Sequence, residues 1–102
     1  MPFDVHPALD IAQAGPQVVI EARVAADPPR PLHWRLAVET RGPGGSSRST
    51  QAGDTDGASA APLSSVRVNA GGIAELHVFS GGRLVAQHRE EFDAPSPSKT
   101  AE

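Results

Sequence analysis

Residues 32–53 read LHWRLAVETRGPGGSSRSTQAG, and this stretch decides the fold that the rest of the chain is expected to adopt. Its first half alternates apolar and polar residues, and the apolar ones are Leu32, Trp34, Leu36 and Val38. An alternation with a period of two is typical of a half-buried β-strand, because successive side chains point to opposite faces of a sheet. The first half therefore predicts a core strand, with the tryptophan packed inside the protein.

A glycine-rich turn and a polar segment follow this strand. Residues 42–45, Gly-Pro-Gly-Gly, either fix φ or tolerate positive φ, as a tight turn requires. The run Ser46–Gln51 contains no apolar residue, so we expect an extended segment that stays in water. The next residues, Ala52–Pro62, are small and turn-prone, and they predict a mobile loop.

Strands are also predicted on both sides of this stretch. Upstream, Gln17–Ala26 alternates cleanly. The segment Phe3–Ala14 alternates irregularly, contains Pro7 and follows Pro2, so it is expected to form a short or broken edge strand. Three prolines in residues 27–31 predict a stiff connection, because proline favours neither a helix nor a sheet ladder. Downstream, Leu63–Asn69 again alternates as a strand.

Two β-rich segments flank Gly81-Gly82 near the end of the chain. A pair of glycines is typical of a two-residue hairpin, because a type I′ turn needs positive φ twice. The predicted register places Ser80 opposite Arg83 and Val78 opposite Val85. Both faces of this hairpin then carry apolar residues, so the pattern leaves open which face belongs to the core, and a bulge would change the assignment.

Together these patterns indicate about seven short strands with turn signals between them. They favour an all-β fold, a seven-stranded antiparallel β-sandwich of the immunoglobulin or fibronectin type III kind, with a small barrel as the competing architecture. A length of 102 residues indicates a single domain. We expect residues 1–92 to form the sandwich and residues 93–102, which lack large apolar side chains, to form a disordered C-terminal tail.

The composition excludes several classes of function. A formal net charge of −3 and a sequence pI of about 5.7 give no basic field that would attract nucleic acid. No run approaches the roughly 20 apolar residues that cross a bilayer. The chain has no cysteine, which excludes a disulfide framework, a thiol nucleophile and a thiolate metal site.

No motif in the sequence predicts catalysis or a cofactor. Residues 54–57, Asp-Thr-Asp-Gly, resemble the start of a calcium loop, but the glutamate that ends such a loop does not follow. On the predicted hairpin register, His77 and His88 are diagonal neighbours on one face, where Glu75 or Glu90 could join them around a metal. Two ordinary surface imidazoles are favoured instead, because no third ligand is placed. We expect a protein that is not an enzyme and holds no cofactor.

The arginines are the more informative charged residues. Arg23, Arg48 and Arg67 all fall at outward positions on predicted strands. The strands of Arg23 and Arg67 are expected to pair, which could cluster their charges into a basic stripe and hence a binding face. A solvated face with acidic neighbours such as Glu21 is the alternative, and the pattern does not separate the two.

The chain resembles the curli assembly proteins of the CsgC and CsgH family, and it is closer to CsgH. Four segments carry the resemblance: RLAVET at 35–40, GGSSRSTQAG at 44–53, LSSVRVNAGG at 63–72 and AELHVFSGGRLVAQ at 74–87. A Cys-x-Cys pair found in some CsgC members is absent here, in agreement with the CsgH branch.

The resemblance implies an immunoglobulin-like sandwich in the periplasm, with its signal peptide removed, that works as a monomer and does not insert into a membrane. It also implies a chaperone-like inhibitor that keeps the amyloidogenic curli subunit from polymerising before secretion. The expected contacts are transient and electrostatic, or they cap an edge, or both. The candidate client-binding residues are Arg48, Arg67, Arg23 and Gln51. A non-catalytic structural or adhesive immunoglobulin-like module of an extracellular assembly remains the alternative.

Overall fold

The computed structural model describes residues 4–42, 44–58 and 61–94. These residues form seven antiparallel β-strands in two sheets. The strands are β1 (Asp4–Ala14), β2 (Gln17–Asp27), β3 (Leu32–Gly42), β4 (Gly45–Thr55), β5 (Ser64–Val68), β6 (Gly71–Ser80) and β7 (Arg83–Phe92). The predicted all-β sandwich is therefore confirmed, and the barrel is excluded because the strands form two separate sheets.

The three-stranded sheet has the order β1-β2-β5, and the four-stranded sheet has the order β4-β3-β6-β7. The core lies between the sheets and is built from the alternate residues of the central strands β2, β3 and β6. The innermost side chains, each less than 2% exposed, are Ile20, Leu36, Leu76, Val24, Val38 and Val78. Burial of this apolar surface is the main force that holds the two sheets together.

The tryptophan lies in this core, as the alternation predicted. Trp34 is 6% exposed, and its indole ring lies directly beneath Gly53 of the neighbouring strand β4. A Cβ atom at Gly53 would lie 3.1 Å from the ring, so the glycine lets the β4 backbone approach the indole closely. The tryptophan thus helps to position β4 as well as to fill the core.

The first strand is longer than the sequence predicted. β1 is a continuous edge strand of 11 residues, and the prediction of a short or broken strand was wrong. Pro7 is accommodated because β1 is an edge strand and pairs with β2 on one side only. The proline nitrogen, which has no hydrogen to donate, can face the unpaired side. The inward residues Val5, Leu9 and Ile11 pack against the core and stabilise the full length of the strand.

The region predicted as a mobile loop, Ala52–Pro62, begins as strand. β4 pairs with β3 up to Thr55, so the loop prediction was wrong for the first four residues of that range. Beyond them, the Gly57 carbonyl accepts a hydrogen bond of 2.9 Å from the Ala26 amide, and Gly57 is itself buried. Small side chains made residues 52–55 look irregular, whereas the adjacent core strand β3 supplies a ladder partner for each of them.

The hairpin at Gly81-Gly82 is confirmed, with φ angles of 60° and 80° and Ser80 opposite Arg83. A bulge between Val78 and Phe79 then shifts the register, so Val78 lies opposite Ala86 and not opposite Val85. The face that carries Leu76 and Val78 faces the core, and the other face carries Phe79 and looks outward. The structure thereby decides what the alternation left open.

The predicted disordered tail, residues 93–102, lies outside the described residues from position 95 onward. Residues 59 and 60 of the predicted loop also lie outside them. In the part of the chain that the structure describes, no helix has the length and hydropathy that a membrane span requires.

Candidate functional site

Strand β4 is an open edge of the four-stranded sheet. It is 11 residues long and pairs with β3 along its whole length, with no shift of register. Its other side faces no described strand. Residues 45–50 are all exposed, which confirms that the polar run extends into water as far as Thr50, whereas its last residue, Gln51, is half-buried. An edge strand presents unpaired N–H and C=O groups, so β4 offers a backbone to which another strand can hydrogen-bond.

The other three sheet edges carry features that discourage the addition of a strand. β1 contains Pro7, which lacks an amide donor, and β5 is only five residues long. β7 begins next to the bulge and is rich in charged side chains, which are Arg83, Arg89, Glu90 and Glu91. Prolines, short lengths, bulges and charges are the usual protections of sheet edges. Among the described strands, β4 is therefore the long and regular edge without a proline or a bulge, and it carries only two charged side chains, Arg48 and Asp54.

Arg48 lies near the middle of this edge, on the outer face of the sheet. It is exposed and lies opposite Glu39 in the ladder, yet it forms no ion pair with a described residue. Arg35 and Arg41 of β3 point to the same outer face, and they also form no ion pair within the described chain. The outer face of the β3–β4 hairpin therefore carries three guanidinium groups that are available to an anionic partner.

The sequence interpretation missed Arg35 and Arg41, although the signal was present. In a hairpin closed by Gly42 and Gly45, residues of β3 and β4 whose numbers add up to 87 lie opposite each other. Arg48 then shares a face with Glu39, and hence with the alternate β3 residues on either side of it. The strand alternation and the turn together would have placed all three arginines on one surface.

A shallow concavity of about 90 Å³ lies beside Arg48 on this outer face. Its floor is formed by the small side chain of Ala37, which is 8% exposed. Its rim alternates in charge, with Glu39 next to Arg48 and Glu75 next to Arg89, and the Glu75 and Arg89 side chains approach to 3.7 Å. The outer face therefore carries both acidic and basic side chains, and the arginines without an ion pair to a described residue lie on its β3–β4 side.

Arg67 and Arg23 lie on the outer face of the other sheet. Their strands β5 and β2 pair as the sequence predicted, and Arg67 lies opposite Val19. Arg23 lies beyond the last paired position of this ladder, Ala22, so the two arginines are not neighbours. The expected basic stripe does not form, because four residues of strand, roughly 13 Å, separate Arg23 from Val19.

Arg23 is moreover balanced by carboxylates. Its guanidinium group binds Asp10 of β1, and its Nη2 lies 3.2 Å from Oε1 of Glu21. This is the solvated face with acidic neighbours that the sequence left as an alternative. Arg67 forms no ion pair within the described residues. Of the three arginines proposed for client binding, Arg48 and Arg67 form no ion pair with a residue that the structure describes, whereas the charge of Arg23 is neutralised locally.

Gln51 lies on the other face of β4 from Arg48. It is opposite Leu36, whose side chain points into the core, and its Oε1 accepts a hydrogen bond from the Ser64 hydroxyl of β5. The contact joins the two sheets at one side of the sandwich. Its geometry fits a structural cross-link better than a contact on the outer arginine surface.

We expect Gln51→Ala to lower the free energy of unfolding by about 1 kcal/mol, the usual worth of such a hydrogen bond. Because both residues belong to one contact, adding Ser64→Ala should cost much less than the same change in the wild type. Chemical denaturation of the two single variants and the double variant measures this coupling. Strictly additive losses would contradict the structural role of Gln51.

Phe79 is the centre of an aromatic group on the outer face, near the β6–β7 turn. His33 and His77 lie on either side of it, with ring centroids 6.3 and 6.4 Å from the phenyl centroid. The Arg35 guanidinium carbon lies 5.9 Å from the same centroid, within cation–π distance. Leu84, opposite Phe79, is 47% exposed. This group adds a modest apolar surface beside the unpaired arginines.

The expectation that His77 and His88 share one face was wrong. His77 lies opposite Gln87, and His88 lies opposite the buried Leu76, so the two imidazoles point to opposite faces of the sheet. The bulge moves the register and is the cause of this difference. Within residues 4–42, 44–58 and 61–94, no three His, Cys, Asp or Glu side chains are arranged to hold a metal ion.

The comparisons with known proteins agree with this architecture. No family model and no curated protein sequence matches the chain. Among solved structures, the solution structure of CsgH from R. palustris matches with a TM-score of 0.70 and 22% sequence identity, over 86% of this chain and 92% of that one. The chain thus has a CsgH-like fold, and the resemblance that the sequence predicted is confirmed at the level of the fold.

Proposed function

We propose that this protein is a non-enzymatic, chaperone-like inhibitor that delays amyloid nucleation by a curli subunit in the periplasm. The CsgH-like fold supports a role in curli assembly. The observation that carries the proposal is the open β4 edge, with the unpaired arginines of the β3–β4 hairpin beside it. The acting form is a monomer, because a free β4 edge is what a client would meet.

The physical argument starts from how amyloid grows. A fibril extends when a strand adds to an exposed edge whose backbone groups are unpaired. β4 can hydrogen-bond to such a client strand along its free side, whereas its other side is already paired with β3. On the side of the client strand that β4 covers, the next strands are those of the four-stranded sheet, so no unpaired edge remains there for another subunit. Capping of this kind slows nucleation even when the chaperone is present in less than equimolar amount.

The arginines raise the rate at which the protein and its client associate, and they add little to the lifetime of the complex. Arg35, Arg41 and Arg48 are exposed on one surface, and unpaired surface charges mainly raise association rates. Exposed charges are screened over about 8–10 Å at physiological salt, so the attraction acts at short range. This predicts transient contacts that favour clients with negative charges along an extended backbone.

The test follows fibril growth of a purified curli subunit with substoichiometric protein added. The wild type should lengthen the lag time. The double variant Arg48→Glu, Arg67→Glu should lose most of this effect while remaining folded, because charge reversal can cut an electrostatically steered association rate about tenfold. The single variants separate the two surfaces, and we expect the Arg48 change to account for the larger share.

Arg89→Glu is the matched control for the single variant Arg48→Glu, because the two replacements change the net charge equally, but Arg89 lies on β7, next to Glu75. It should retain inhibition. Equal losses in the β4 and β7 variants would assign the effect to net charge and not to the β4 surface. A wild type that leaves the lag time unchanged but binds a folded partner stoichiometrically would instead favour a structural or adhesive module.

A further inference from the structure

The charges on the β4 edge are arranged so that one copy of this strand complements another. The outer row of β4 carries Arg48 and Asp54, six positions apart, with the small residues Thr50 and Ala52 between them. The Asp54 side chain is 88% exposed, and among the described residues its ionic contact is with His33 at 3.1 Å. A cation and an anion therefore stand at the two ends of an open, uncrowded row.

An antiparallel pairing of two β4 strands has one register that uses both charges. With Gln51 opposite Gln51 of a second copy, Arg48 of each chain lies opposite Asp54 of the other, and Thr50 lies opposite Ala52. Directly opposite residues share a face in an antiparallel ladder, so both charge pairs fall on the outer face. If the register shifts so that Thr50 lies opposite Thr50 of the second copy, Arg48 lies opposite Ala52. Both Arg48–Asp54 pairs are then lost.

We propose that a second copy of this chain adds to β4 in this register and joins two four-stranded sheets into one sheet across a two-fold axis. Such an interface uses the same patch on both chains, as symmetric dimers do. β1, β5 and β7 carry the edge protections described above, so β4 is the edge open to this contact. The dimer covers the β4 edge and therefore holds the protein in an inactive state from which the monomer is released by dissociation. The inference of a dimer does not itself rest on the proposed curli function.

The test uses purified protein alone, so its outcome is independent of any curli subunit. Sedimentation velocity of the wild type should show a reversible, concentration-dependent dimer. Arg48→Asp and Asp54→Arg should each raise the dissociation constant at least about tenfold, because each places like charges opposite each other twice. An equimolar mixture of the two variants should dimerise again, since both pairs across the mixed dimer then join an aspartate to an arginine. The doubly swapped chain should also dimerise.

His33→Ala controls for the local contact that Asp54→Arg removes, and it should dimerise like the wild type. A second measurement reports the register, because the chain has no cysteine of its own. Under mild oxidation, Gln51→Cys should form a disulfide-linked dimer readily. Ser49→Cys should form far less, because the two copies of that position lie four residues apart along the paired strands, about 13 Å.

Several results would overturn the proposal. These are a wild type that stays monomeric at millimolar concentration, a mixture of the two charge variants that does not dimerise, or equal cross-linking at positions 49 and 51. Dimerisation that Arg48→Asp leaves unchanged would place the contact on another surface. Circular dichroism of each variant confirms that a lost dimer does not reflect a lost fold.

Discussion

Replacing Gly72 with alanine should destabilise the domain by about 3 kcal/mol or more, although it adds a single methyl group. Gly72 lies opposite Thr40 in the ladder between β3 and β6, the two central strands of the four-stranded sheet. A Cβ atom at this position would overlap the Glu39 carbonyl oxygen and lie 2.8 Å from the Thr40 Cα atom. Both are backbone atoms, so no side-chain rotation relieves the overlap, and the strands must separate.

Urea denaturation followed by circular dichroism measures this loss. Gly42→Ala is the matched control, because Gly42 lies at the end of β3 and an added Cβ would meet only the Ala70 Cβ, at an ordinary 3.7 Å. The control should change stability by no more than about 0.5 kcal/mol. Similar losses in both variants would show that the effect arises from the glycine-to-alanine change in general and not from the crowding between β3 and β6.

Trp34→Ala should lower the free energy of unfolding by about 3–5 kcal/mol, as expected when a large aromatic side chain is removed from a core. The indole is 6% exposed and supports the β4 backbone at Gly53. Its loss should therefore loosen the candidate edge as well as the core. Chemical denaturation measures the global effect, and hydrogen exchange of the β4 amides, compared with those of β6, measures the local one.

Arg41→Ala is a suitable comparison for this variant, because it lies on the same strand but on the exposed outer face. It should cost no more than about 0.5 kcal/mol. Trp34→Phe should fall between the two, since it keeps most of the apolar volume. If β4 exchanged no faster than β6 in Trp34→Ala, the indole would fill the core without supporting the edge.

Part of the candidate site was accessible from the sequence. The polarity of Ser46–Gln51 predicted an extended segment in water, and the glycine turn before it predicted the return of the chain beside β3. Both are local properties that the residues themselves specify. The place of β4 at the edge of its sheet is not local, because it depends on which strand pairs with the far side of β3, and that strand is β6.

The roles of individual charged and polar residues were less accessible. Arg23 and Arg67 look alike in sequence, yet Arg23 is neutralised by Asp10 of a neighbouring strand and Arg67 is not. Gln51 looked like a surface residue, but its hydrogen bond to Ser64 depends on how the two sheets stack. A side chain's partners are set by strands that are distant in sequence, so alternation alone gives its face and not its neighbours.

The sequence by itself determined the all-β class, the core rows of β2 and β3, the hairpin at Gly81-Gly82 and the resemblance to CsgH. The first three follow from side-chain alternation and turn chemistry, which act over a few residues, whereas the resemblance rests on the four matching segments between residues 35 and 87. Only the tertiary structure decided which face of the last hairpin is buried, which arginines keep a free charge and which sheet edge is open. Those outcomes depend on a bulge, on the register between distant strands and on the order of strands within each sheet, because burial and pairing are properties of the assembled sheets.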